Sequence, residues 1–238
     1  MADKDLTEYI RNIPDFPQPG IQFKDVTTLI GHPQAFAQVI DVLAERYHGR
    51  DIQAIVGVES RGFIFSAPLA LRLGVSLVPV RKPGKLPAET YQVEYDLEYG
   101  SNKLEIHRDA FEHGGRVVIV DDLLATGGTI GAARTLVERA GASVEELAFV
   151  IELSFLGGRD RLAPTPVFSL VQYGAPGLCI YLTRVLYFEQ ERGKYKYPLY
   201  PAVMYPALRR GSPTAFPDFA RVTKSIRVAP DGVSRDEP

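Results

Sequence analysis

The sequence predicts an α/β fold: a central, mostly parallel sheet flanked by helices. Three observations predict it. Short β-prone runs alternate with helical patterns between residues 33 and 171, the order that builds parallel sheets with crossover helices. Several of those runs are apolar throughout, as strands buried on both faces are. One of them, Val117–Val120, leads into two carboxylates, a small-residue turn and a helix. Open α/β sheets bind ligands at such strand carboxyl ends.

The elements follow in order. Residues 14–20, Pro-Asp-Phe-Pro-Gln-Pro-Gly, exclude regular helix, because proline removes donors and clashes with a helical path. Phe36, Val39, Ile40, Leu43 and Tyr47 share one face of a helix over 33–47, with Pro33 in its first turn. Residues 52–58 read as a buried strand, 62–73 as a helix capped by Gly74, and 76–80 as another strand. Residues 81–102 hold Pro83, Gly84, Pro87 and Gly100 and read as a long functional loop with at most short extended pieces. Residues 103–106 suggest a short strand and 116–120 a buried one; a helix over 129–140 and strands over 144–153 and 167–171 follow. No internal repeat is present.

Composition bounds the function. The 238 residues are 45% hydrophobic and 24% charged, with a net charge of −2, values of an ordinary globular protein without a nucleic-acid-binding coat. Cys179 is the only cysteine, which excludes an intramolecular disulfide framework and a cysteine zinc cluster. The charged start of the chain lacks a signal-peptide core, and no apolar run reaches the ~18 residues of a membrane span. A soluble cytoplasmic protein with no membrane partner is expected. His32, His48, His107 and His113 show no metal-ligand spacing, and P-loop, G-x-G-x-x-G, H-E-x-x-H and G-x-S-x-G motifs are missing.

The charge is uneven. Residues 1–173 carry 17 basic and 23 acidic side chains, and residues 174–238 carry 10 and 6. The second segment also holds 8 of the 18 prolines and 6 of the 12 tyrosines, so it reads as an addition to the first.

The segment Val117–Thr129 carries the chemistry. Gly127 and Gly128 let backbone approach an anion, and Thr126 and Thr129 add hydroxyl donors beside Ala125. The free N–H groups and dipole of the following helix favour phosphate. Asp121 and Asp122 would repel a phosphate yet accept hydrogen bonds well from a vicinal diol. A phosphate cradle beside a diol clamp describes a ribose 5-phosphate site.

These residues resemble the phosphoribosyl-pyrophosphate signature of type I phosphoribosyltransferases, and Asp-Asp-Leu-Leu-Ala-Thr-Gly-Gly-Thr resembles its adenine-specific branch. The segments 15–25, 59–63, 81–87, 97–100 and 104–106 agree, so the resemblance covers residues 6 to 173. It implies the type I fold, with a flexible hood loop and an N-terminal base-binding segment. The implied reaction joins adenine to phosphoribosyl pyrophosphate, giving AMP and pyrophosphate in purine salvage. It also implies a homodimer.

The resemblance assigns roles residue by residue. Glu59, Ser60 and Arg61 form a pyrophosphate turn with a cis peptide at Glu59–Ser60. Arg81 and Lys85 contact pyrophosphate, while Lys82 suits a solvated basic face. Glu98 is the acid/base and Tyr99 lies beside it in the hood; Arg61 and Lys85 join Glu98 as catalytic groups. Gln22, Phe23, Lys24 and Leu123 form the adenine site, with Lys24 where relatives often carry Arg and Glu59 where they often carry Asp. Mg²⁺ is implied as a cofactor held mainly by substrate pyrophosphate and ribose hydroxyls, without a side-chain cage. A non-catalytic regulator on the same fold, binding a purine or phosphoribosyl pyrophosphate, is the alternative, as is transfer to another base. The hood residues and the short stretch ahead of residue 14, with no room for a DNA-binding unit, favour the enzyme.

Residues 174–238 are read as an extension. Residues 178–188 are strand-forming and are expected to pair with 167–171. Three Tyr-Pro pairs follow, and the last part is polar and expected to be mobile. An arm on the enzyme's own core or on its dimer partner is favoured over an interaction segment or unselected sequence.

Overall fold

The computed structural model describes residues 5–96, 101–111 and 114–174. Its centre is a five-stranded sheet built from β3 (Ala54–Val58), β4 (Ser76–Val80), β7 (Arg116–Leu124), β8 (Ser143–Leu153) and β9 (Val167–Tyr173), in the order β4-β3-β7-β8-β9. Every neighbouring pair in it is parallel. The strands read as continuous apolar runs because both faces are covered. Ile55, Val118, Val120, Ala148 and Val150 face one core with α2 (Pro33–Tyr47) and α3 (Gly62–Leu73). Val56, Val117, Ile119, Leu147 and Phe149 face another with α4 (Gly128–Arg139). Alternate residues turn to opposite faces, so β3, β7 and β8 each contribute to both cores.

The helices end where their sequence dictates. α2 spans the expected residues, and His32 Nδ1 accepts from the Ala35 N–H at its start. α3 closes at Gly74, whose φ of 69° is the left-handed cap conformation. An ion pair to a buried carboxylate ties α2 to the sheet. Arg46 Nε and Nη2 both donate to the Glu146 carboxylate at 2.6 Å, and the Tyr47 hydroxyl adds a third bond at 2.8 Å. Burial raises the Glu146 carboxyl, but these donors outweigh it and hold it below its ordinary range.

Three regions differ from the sequence reading. Residues 81–102 are not mainly loop: β5 (Thr90–Asp96) pairs antiparallel with β6 (Ser101–His107). The alternation of Tyr91, Val93 and Tyr95 with polar residues is a strand pattern that the flanking Pro and Gly obscure. Its apolar side packs on the core beneath α4. The N-terminal segment forms a hairpin of β1 (Arg11–Pro14) and β2 (Gln22–Asp25), followed by a short α1 (Thr27–Ile30). Asp25 anchors it, accepting from Arg11 Nη2 at 2.6 Å and from the Thr27 N–H at 2.9 Å. Finally, β7 continues through Asp121 and Asp122 to Leu124, because β8 is long enough to pair with it. The acids therefore sit in the sheet, not in a turn after it. A short α5 (Gly158–Arg161) is a further element absent from the sequence reading. The expected pairing of 178–188 with β9 lies outside the described residues.

Candidate active site

β3 and β7 are neighbours in the sheet, and the helices that follow them lead in opposite directions, to β4 on one side and β8 on the other. That reversal opens a crevice at their carboxyl ends. A cavity of about 400 Å³ occupies it. One wall is the turn Glu59-Ser60-Arg61 and the other runs from Asp121 to Thr129.

The second wall is an anion cradle. Gly127 has φ 81°, which lets the chain turn sharply into α4, and no side chain caps that helix. The first-turn N–H groups of α4 therefore face the cavity without helical partners. The Ala125–Gly127 turn is supported from below by Gly158, where a Cβ would collide with the Ala125 carbonyl oxygen. Arg134 fixes the same layer, donating to the Leu162 carbonyl at 2.8 Å and to Thr165 Oγ1 at 3.0 Å. Above it, Tyr95 from β5 lines the cavity, and its hydroxyl accepts from Thr129 Oγ1 at 3.4 Å.

The first wall is cationic and braced by acids. The Glu59–Ser60 peptide is cis, as expected. Glu59 turns its carboxylate to the next segment, accepting from the Lys82 N–H at 2.9 Å and facing Arg81 Nε at 3.3 Å. Burial raises the Glu59 carboxyl, but the Lys82 N–H and Arg81 hold it below its ordinary range. Arg61 Nε lies 2.8 Å from Asp122 Oδ2. Burial drives both aspartates upward; the Asp122 charge raises Asp121 further, while Arg61 opposes the rise at Asp122.

The structure thus brings Glu59, Ser60, Arg61, Asp121, Asp122, Leu123, Ala125, Thr126, Gly127, Gly128 and Thr129 to one cavity. Arg81 and Lys85 do not line it. Arg81 is turned to Glu59 and donates to the Lys85 carbonyl at 3.1 Å. Lys82, read from the sequence as solvated, is exposed and also lines it. Of the base-site residues only Leu123 lines the cavity. Phe23 is near, its ring centroid 5.9 Å from the Arg61 guanidinium carbon, with Phe16 edge-on at 5.1 Å. Lys24 Nζ instead sits 4.0 Å over the Tyr173 ring, and Gln22 Oε1 accepts from Asn12 at 2.7 Å. Glu98 and Tyr99 lie outside the described residues. Tyr95, Phe149 and Gly158 were not anticipated; only the strand alternation around Tyr95 could have flagged one of them.

No group of three or more His, Cys, Asp or Glu side chains that could hold a metal ion occurs among the described residues. The paired acids facing an open cavity fit a cation that brings its other oxygen ligands with the substrate.

Comparison with known proteins agrees with this geometry. Residues 26–166 match the phosphoribosyl transferase domain. Adenine phosphoribosyltransferase of Chloroflexus aurantiacus is 70% identical over 173 residues, covering 73% of this chain and all of the relative. That of Synechococcus is 59% identical over 169 residues, 71% of this chain and 99% of the relative. Among solved structures, the enzyme of Thermoanaerobacter pseudethanolicus has a TM-score of 0.68 at 54% identity, covering 71% of this chain and 98% of its own. The Saccharomyces cerevisiae enzyme, solved with an imino-altritol bisphosphate and adenine, scores 0.66 at 46% identity over 69% and 96%. Sheet, crevice, signature and relatives agree, and the chain belongs to the phosphoribosyl transferase family, in its adenine phosphoribosyltransferase branch.

Proposed function

We infer that this chain transfers the 5-phosphoribosyl group from phosphoribosyl pyrophosphate to adenine, releasing pyrophosphate and forming AMP for purine salvage. The observation that carries the reading is one crevice holding an anion cradle, an acid pair and a cationic turn. The sequence relatives of that name, at 55–70% identity, support it.

The chemistry follows from charge. As the C1–O bond to pyrophosphate breaks, positive charge grows on the ribose and negative charge on the leaving group. Ala125 to Thr129 bind the 5-phosphate and fix the ribose. Asp121 and Asp122 accept from its two hydroxyls and lie near the developing cation. Ser60 and Arg61, with Arg81 and Lys85, stabilise the departing pyrophosphate. Fixed donors at such a centre are among the largest catalytic terms. Phe23 and Leu123 hold the adenine ring, with Gln22 and Lys24 reading its edge through backbone groups. Glu98 moves the proton between the base and the site, with Tyr99 beside it in the hood. Closure of the hood excludes water from the reactive ribose.

Mg²⁺ bound with the substrate would neutralise charge on the pyrophosphate. Asp121 and Asp122 are the residues that would hold it, directly or through water.

Residues 1–173 carry the catalysis, and 174–238 are an extension; the 173-residue match to a whole relative supports that division. We assign a homodimer, which the exposed Ile64, Leu71 and Leu77 side chains support. We place the enzyme in the cytoplasm, where its highly charged sugar phosphate substrate is retained by membranes.

Turnover of adenine, hypoxanthine and guanine, each with phosphoribosyl pyrophosphate and Mg²⁺, tests the reading. Adenine alone should give rapid nucleotide formation, and failure to form AMP contradicts it.

A further inference from the structure

Glu105 is an acid that the reaction scheme leaves without a task. It lies on β6 and is buried to 8% exposure. Its two oxygens serve different parts of the molecule. Oε2 accepts from the Gly84 N–H at 3.1 Å, and Oε1 accepts from Gln92 Nε2 on β5 at 2.9 Å. Its backbone also exchanges two hydrogen bonds with Arg81, at 2.9 and 2.7 Å.

Gly84 stands at the apex of the 81–85 turn with φ 74°. The turn is already pinned at its base by Glu59, through Lys82 N–H, and closed on itself by Arg81 and the Lys85 carbonyl. Nothing else described holds the Gly84 amide. Without Glu105, the segment between Lys82 and Lys85 would be anchored at its ends alone.

We propose that Glu105 is a positioning residue that fixes the 81–85 turn against the β5–β6 hairpin and so sets the cationic groups of that turn for pyrophosphate. This rests on the reading that the turn binds pyrophosphate. It adds a physical link: the hairpin that leads into the hood and the turn that carries Lys82 and Lys85 share one carboxylate.

The bridge needs reach more than charge. Glutamine at this position can still accept from Gly84, and the Gln92 amide can turn to accept from it. Aspartate is one methylene short of spanning both donors, and alanine removes both bonds.

Steady-state kinetics of the full-length chain test this, with Lys85→Ala as the control for the turn itself. Glu105→Ala is expected to raise KM for phosphoribosyl pyrophosphate by about tenfold, the scale of a lost hydrogen bond to a charged group. Its KM for adenine should stay within about twofold and its kcat should fall less than the first KM rises. Glu105→Asp, which retains a buried acid should the alanine variant fold poorly, should show the same split. Glu105→Gln should recover most of the loss. In the Lys85→Ala background the Glu105→Ala effect should shrink, since both act through one turn. Three results overturn the proposal. Equal loss for both substrates would mark a general structural role. A Glu105→Gln variant as impaired as the alanine one would mean that charge, not bridging, matters. A normal KM in Glu105→Ala and Glu105→Asp while Lys85→Ala is impaired would remove Glu105 alone. If Lys85→Ala and Lys82→Ala are also normal, it is the pyrophosphate reading of the turn that fails.

Discussion

Arg61 and Asp122 face each other across the crevice at 2.8 Å, the guanidinium half-exposed and the carboxylate almost fully buried. The contact joins the turn after β3 to the acids of β7, so the sides proposed for pyrophosphate and for ribose share one ion pair. It also acts on the acid pair. Burial pushes Asp122 up and Arg61 pulls it back.

Replacing Arg61 with Gln should therefore do two things. The rate constant kcat/KM for phosphoribosyl pyrophosphate should fall about 100-fold, as when a preorganised donor to a developing anion is lost. The acid limb of the residual activity should also move to higher pH, because Asp122 loses the charge that opposed its rise. A pH profile of kcat/KM reads both, and an unmoved limb would separate Arg61 from the state of Asp122.

Asp121 should cost the fold stability. Its carboxyl is raised by burial and by the Asp122 charge. A raised carboxyl favours folding fully below its unfolded value of about 4 and loses that contribution as pH rises through the folded value. At neutral pH the buried Asp121 carboxyl is therefore a burden. Asp121→Asn keeps the acceptor for the Asp122 N–H, now at 2.9 Å. It is expected to raise stability at pH 7 by about 1 kcal/mol, with the gain vanishing toward pH 4. Thermal unfolding at the two pH values checks this; a loss at pH 7 would contradict it.

Gly158→Ala should damage the cradle from beneath. The new Cβ would meet the Ala125 carbonyl and the Leu124 side chain, at 2.9 Å for the latter. Backbone cannot yield as a flexible side chain does, so a cost of about 2 kcal/mol is expected. KM for phosphoribosyl pyrophosphate should rise more than KM for adenine. Unfolding and kinetics together check it, and a neutral variant would show that the turn moves freely.

Gly158 also marks the limit of what the sequence reveals. The α2 helix, the α3 helix with Gly74, and the β7-to-α4 signature are local patterns, and each was legible. Supporting contacts are not local. Gly158 lies far along the chain from Ala125, and only the fold brings them together. The β1–β2 hairpin was hidden by Pro14, Pro17 and Pro19, and β5 by the turn residues on either side. That the exposed Lys82 also lines the cavity is not legible locally, because it depends on the turn that carries it, here the one held by Glu59. The resemblance supplied roles for Arg81, Lys85 and the base-site segment that this arrangement of the cavity alone would not have suggested.

Glu98→Gln should lower kcat about 100-fold while the affinity for phosphoribosyl pyrophosphate stays within about twofold, the pattern of a lost proton-transfer group. Pre-steady-state turnover with equilibrium binding checks this. Near-normal turnover would remove Glu98 from the mechanism and leave leaving-group stabilisation to carry it.

The crevice between β3 and β7 is the proposed seat of phosphoribosyl transfer. The most direct measurement is AMP formation from adenine, phosphoribosyl pyrophosphate and Mg²⁺ by the wild-type chain and by the Asp121→Asn/Asp122→Asn variant. Wild type should form AMP with release of pyrophosphate, and the folded variant should lose at least about 1,000-fold in kcat/KM, since two groups aimed at the reacting ribose are neutralised. AMP formation that survives the double substitution would contradict the assignment of the acid pair, and no AMP from the wild-type chain would contradict the whole account.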